Sequence, residues 1–150
     1  MGFAKFQKAT RWRGRLSITA KKIIKDNKMT DYFARKESAI KLNKLLGLDS
    51  TGNEQDWELE LADIGKITSM LNLLENKTLN FHDKIALSHL IVASFEKEDE
   101  ELGAVDKDRI KIFADFLDDN LQIKNIIREY WIVAYGNLSK NLAYLIFGDK

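Results

Sequence analysis

Apolar residues recur at steps of three and four along successive stretches of this chain, and no proline interrupts them. Trp57, Leu61, Ile64, Ile67, Leu71 and Leu74 form one such series. Ile110, Phe113 and Leu117 form another, and Ile123, Ile126, Ile127, Tyr130 and Ala134 a third. That spacing puts side chains on one stripe of a helix. Proline removes a backbone donor and clashes inside a helix, so its absence agrees with the same reading. The brief alternation from Trp57 to Leu61 is overrun by the three-four pattern.

Capping residues set the expected boundaries. Thr30 opens a helix over 31–46 that Gly47 closes, with Leu48 folding back on its last turn. A polar loop over 49–56 leads to a long helix over 57–76. Asn80 opens a helix from Phe81 to Phe95 or beyond, and Asp106 opens the next. Asn120 precedes another that ends near Gly136, and Ser139 starts a short last one holding Leu142, Leu145 and Ile146. Residues 19–26 add a brief basic helix. The expected fold is therefore all-α, five to seven helices packed as a bundle or orthogonally in one domain spanning 1–150. Residues 1–18 form a basic N-terminal arm packed on the domain or extending from it. A chain of 150 residues buries roughly 70% of its unfolded surface, so it needs no metal or disulfide to fold.

Composition narrows the chemistry. There are no cysteines, which excludes disulfides, thiolate metal sites and cysteine nucleophiles. The apolar runs Ile85–Phe95 and Tyr130–Tyr135 fall short of the roughly 20 residues that cross a bilayer. The basic start has no apolar core of a secretory signal, and Phe6 stands where a myristoylation motif wants Ser or Thr. A cytoplasmic protein without a membrane partner is expected.

Charge is divided unevenly. Residues 1–44 carry thirteen Lys/Arg and three Asp/Glu, a net of +10, while 45–150 carry eleven and twenty, a net of −9. In the basic part, Arg11, Trp12, Arg13 and Arg15 interleave guanidinium groups with an indole, and Lys21 and Lys22 follow. Guanidinium forks bind phosphate and an indole stacks on bases, so these are the candidate nucleic-acid-binding residues. A helix-turn-helix over 19–46 lacks the turn glycine often found there. In the acidic part, Glu96, Glu98, Asp99, Glu100 and Glu101 crowd the expected end of a helix, where acids oppose the dipole. Asp115, Asp118 and Asp119 add a second acidic group. These eight are the candidate residues for a basic protein partner.

Catalytic signatures are weak. His82 and His89 stand seven residues apart, roughly 10.5 Å along a helix, too far to share a zinc ion. His89 lies among Ile85, Ala86, Val92 and Ala93, which reads as a core histidine bonded to a partner. Glu129 borders an apolar face, and a general base at Glu129 assisted by His89 is the enzymatic alternative. Asp49, Thr51, Asn53 and Glu60 echo a calcium loop, but Glu54 stands where glycine belongs, so a polar linker is expected there. No phosphate-binding loop, dinucleotide fingerprint or Gly-x-Ser-x-Gly elbow occurs. No cofactor, metal site or catalytic residue is assigned. The leading expectation is a non-enzymatic protein-binding module of the inhibitor or immunity type, neutralising a basic partner such as a toxin nuclease. Nucleic-acid binding through the basic segment comes second, and an enzyme using Glu129 and His89 third.

Overall fold

A computed structural model describes residues 33–51, 54 and 56–148. Among these, seven α-helices and no strand occur. They are α1 (Lys36–Leu46), α2 (Trp57–Glu60), α3 (Ile67–Leu73), α4 (Phe81–Leu102), α5 (Lys107–Asp118), α6 (Leu121–Arg128) and α7 (Lys140–Phe147). The fold is all-α, as the periodicity implies.

Helix α4 is the axis of the packing. Every residue from Ile85 to Glu96 is buried. A helix apolar nearly all round must be surrounded, and α1, α2, α3 and α6 pack against it. Helices α5 and α7 lie against each other, and α5 also meets α3 and α6. One hydrophobic cluster runs through all seven, with Leu42, Ile67, Phe95, Phe113, Ile127 and Leu142 each fully sealed.

Most expected caps are present. The Asn80 side chain accepts from the Asp83 N–H at 2.9 Å, and the Asp83 carboxylate accepts from the Asn80 N–H at 3.0 Å. That reciprocal pair satisfies two donors a helix start leaves open. Asp106 caps α5 by accepting from the Asp108 and Arg109 N–H groups, and Ser139 caps α7 by accepting from the Leu142 N–H, neither with a reciprocal bond. Gly47 takes φ 63°, which lets the Leu48 N–H return to the Asn43 carbonyl at 2.9 Å, while Leu48 packs on the core.

Two boundaries differ from the sequence reading. Helix α1 begins at Lys36, after an extended Arg35, rather than at 31. Phe33 instead turns inward, its ring edge-on to Tyr130 at 5.3 Å. Thr30, Asp31 and the basic helix expected over 19–26 lie outside the described residues. The long helix expected over 57–76 is broken into α2, a single 3₁₀ turn (Ile64–Lys66) and α3. The break is paid for by α4: Ser94 Oγ accepts from the Asp63 N–H at 3.0 Å, and Lys97 Nζ donates to the Ala62 carbonyl at 3.2 Å. The Asp63 side chain then accepts from the Gly65 N–H and starts the 3₁₀ turn. Ile67 and Leu71 are buried as expected, while Ile64 is only half-buried.

No described helix is long and apolar enough to cross a membrane.

Candidate functional site

Two polar groupings of the described chain bear on function, one sealed inside and one on the outer face of α5. The inner one begins where α6 runs on as a π-helical segment, Glu129–Tyr135, closed by the Gly136 N–H reaching back five residues to the Trp131 carbonyl at 3.2 Å. Such wider turns are rare and recur at functional sites. Gly136 ends the segment at φ 71°. Tyr130, Trp131 and Tyr135 are all buried.

Each of the three aromatics finds a polar partner. The Tyr130 hydroxyl donates to Glu58 of α2 at 2.6 Å. The Trp131 indole donates to His89 Nδ1 on α4 at 3.1 Å. The Tyr135 hydroxyl donates to Glu96 of α4 at 3.1 Å. The rings also pack on one another: His89 lies 4.4 Å from Tyr130, and Trp131 lies 5.1 Å from Tyr135, both edge-on. Because an indole only donates, His89 Nδ1 is an acceptor and its proton sits on Nε2. Burial, with Glu96 and Glu100 nearby, pushes the Tyr135 phenol well above its ordinary value of 10.0.

His89 is thus the bonded core histidine that its apolar neighbours suggest, fully inaccessible to solvent. Tyr130 and Trp131, the two residues that follow Glu129, both engage it. Glu129 itself is half-buried. Sequence reasoning missed Glu58, which sits in an acidic run that looks solvated, and the pairing roles of Trp131 and Tyr135. Three aromatics within six positions beside an apolar face, in Tyr130–Tyr135, are the signal that points to them.

The acidic candidates divide. Glu96 and Glu98 turn inward and are almost inaccessible. Glu98 accepts from the Asp106 N–H at 3.2 Å and pairs with Arg109, so it links the end of α4 to the start of α5. Asp99 is half-buried, and Glu100 and Glu101 are exposed. On α5, Asp115 pairs with Lys111 at 3.0 Å and Asp118 pairs with Lys124 at 2.7 Å, and Asp119, the C-cap that follows the helix, is exposed. Pairs this exposed contribute little to stability.

Asp108 and Ile112 complete that outer face. Asp108, Ile112, Asp115 and Asp119 succeed one another at steps of four, three and four, and all four are exposed. They make a stripe about 16 Å long at 1.5 Å per residue. Ile112 remains 54% accessible, an aliphatic side chain bordered by carboxylates. It falls out of phase with the core series Ile110, Phe113 and Leu117, and that misfit is legible in the sequence.

Arg11, Trp12, Arg13, Arg15, Lys21 and Lys22 lie outside the described residues. So does Asn53 of the calcium-like loop, whose Glu54 accepts from the Thr51 N–H at 2.9 Å and whose Glu60 accepts from the Asp56 N–H at 2.9 Å. Among the described residues, no group of three or more His, Cys, Asp or Glu side chains is placed to hold a metal ion.

No protein-family model matches the chain, and neither a curated protein nor a solved structure shows significant similarity to it.

Proposed function

We propose that this chain is a non-catalytic, cytoplasmic protein-binding module whose acidic surface engages a basic partner protein, as an inhibitor or immunity protein would engage a toxin nuclease. The observation that carries the reading is the outer stripe of α5, where Ile112 stands exposed between Asp108, Asp115 and Asp119. Carboxylates steer a cationic partner and fix its orientation. An apolar side chain among them supplies contact area that water leaves on binding. Glu100 and Glu101 extend the negative surface at the end of α4. The absence of cysteine fits a reducing compartment.

Against an enzymatic role of the Glu129–His89 pair stands the sealing of His89, which is spent on Trp131 and Tyr130. A general base must reach the proton it takes. The second reading, nucleic-acid binding, keeps one specific observation in its favour: the net charge of +10 over residues 1–44.

Affinity capture from the native host tests the leading reading. Wild-type protein is compared with the variant Asp108→Asn/Ile112→Ala/Asp115→Asn/Asp119→Asn. A basic protein held by the wild type, released by salt and lost by the variant is the expected result. A partner held equally by both would remove α5 from the interface.

A further inference from the structure

The sealed aromatic cluster at the end of α6 sets each oxidisable ring against an acceptor for its proton. Tyr130 donates to Glu58 at 2.6 Å, Trp131 to His89 Nδ1 at 3.1 Å and Tyr135 to Glu96 at 3.1 Å. The rings also touch in series. Tyr130 lies 5.3 Å from Trp131, and Trp131 lies 5.1 Å from Tyr135, both edge-on. All three rings and His89 are buried. In a chain without cysteine, phenols and indoles are the side chains that most readily give up a single electron. An electron crosses packed protein without an open path, so the sealing that denies His89 a substrate does not exclude this chemistry.

An indole or phenol that loses an electron becomes a strong acid. In water the solvent takes the proton. In a dry interior a new unpaired charge is costly, so oxidation goes furthest where a neighbouring base receives the proton. His89 Nδ1 already accepts from the Trp131 indole, so its lone pair is aimed at that proton. Glu58 stands in the same relation to the Tyr130 phenol, at a shorter distance than Glu96 to Tyr135. Proton transfer is faster over the shorter bond, and a neutral phenoxyl radical lies below a neutral indolyl radical in energy. Both favour Tyr130 as the place where the oxidation comes to rest.

We propose that the cluster is a one-electron redox site, in which Trp131 gives an electron to an external one-electron oxidant and Tyr130 refills it, ending as a neutral radical with its proton on Glu58. In the first step the Trp131 electron goes to the oxidant and its N–H proton goes to His89. In the second, an electron passes from Tyr130 to Trp131, the indole takes its proton back from His89, and the Tyr130 O–H bond breaks with its proton going to Glu58. The net change turns one phenol and one carboxylate into one phenoxyl radical and one carboxylic acid, and the oxidant is reduced by one electron. The site is independent of any partner that the acidic surface engages.

The test is ultraviolet flash photolysis of the full chain, with an excess of a viologen as the electron acceptor. The absorption of the indolyl and phenoxyl radicals is followed in time. Wild type is compared with Tyr130→Phe, Tyr135→Phe, Trp131→Phe and Glu58→Gln, and far-ultraviolet circular dichroism checks that each keeps its fold. In the wild type and in Tyr135→Phe, an indolyl signal decays into a phenoxyl signal in a phase whose rate is independent of protein concentration. That phase is absent from Tyr130→Phe, which keeps the ring and loses only the hydroxyl. It is absent also from Trp131→Phe, which leaves Trp12 and Trp57 as the remaining indoles. Glu58→Gln can still accept the phenol hydrogen bond but cannot take its proton, and it slows the phase by about ten-fold or more. A phase of unchanged rate in Tyr130→Phe, Trp131→Phe or Glu58→Gln would overturn the proposal. So would a phase lost only in Tyr135→Phe, or one whose rate scales with protein concentration.

Discussion

The indole N–H of Trp131 donates to Nδ1 of His89 across 3.1 Å, and neither ring is accessible to solvent. The pair joins the π-helical end of α6 to the central helix. Removing the donor while keeping an aromatic ring leaves a buried acceptor unsatisfied. Trp131→Phe is therefore expected to cost roughly 1–3 kcal/mol, measured by urea denaturation. His89→Gln should lower stability and leave partner binding intact. Loss of binding with stability unchanged would assign His89 a working role instead.

Alkaline pH should reveal Tyr135. Its phenol is held neutral by burial and by Glu96 and Glu100, so its folded pKa lies above the unfolded one. The stability it contributes is whole below about pH 10 and is lost as pH rises past that value. Between about pH 10 and 11, the wild type should lose up to roughly 1.4 kcal/mol more per pH unit than Tyr135→Phe. Denaturation midpoints measured across that window check it, and parallel curves would contradict it.

Asp83 should govern the acid limb. Burial alone would raise its pKa, but bonds from Lys41, Ser38 and the Asn80 backbone outweigh that and hold the carboxyl below its ordinary value of 3.8. Its contribution is present above about pH 4 and lost as pH falls through the lowered value. The carboxylate joins α1 to α4 through Ser38 at 2.7 Å and Lys41 at 2.8 Å while serving the Asn80 cap. Asp83→Ala is expected to cost roughly 2–4 kcal/mol at neutral pH and much less in acid. Equal costs at both would show that the carboxylate charge is immaterial.

Local chemistry was legible where it is decided locally. Asn80, Asp106, Ser139, Gly47 and Gly136 mark helix ends through bonds to residues within one turn, so the sequence alone locates them. The break after Glu60 was not legible, because the groups that stabilise it, Ser94 and Lys97, lie about thirty residues away on α4. The same holds for Glu96 and Glu98. A run of acids reads as solvated surface, and partners brought in by the fold, Tyr135 for Glu96 and Arg109 with the Asp106 N–H for Glu98, make their burial tolerable. Ile112 is the opposite case: its phase against Ile110, Phe113 and Leu117 already sets it outside the core.

Whether the chain's charged surfaces serve a protein or a nucleic acid is answered most directly by a salt titration. Single-stranded and duplex oligonucleotides are titrated against the full chain and against Arg11→Ala/Arg13→Ala/Arg15→Ala. With the acidic face as the working surface, binding at about 150 mM salt should be weaker than about 10 μM and insensitive to the triple substitution. Submicromolar binding at that salt, falling steeply as salt rises and lost in the triple variant, would contradict the account and make the basic segment the functional site.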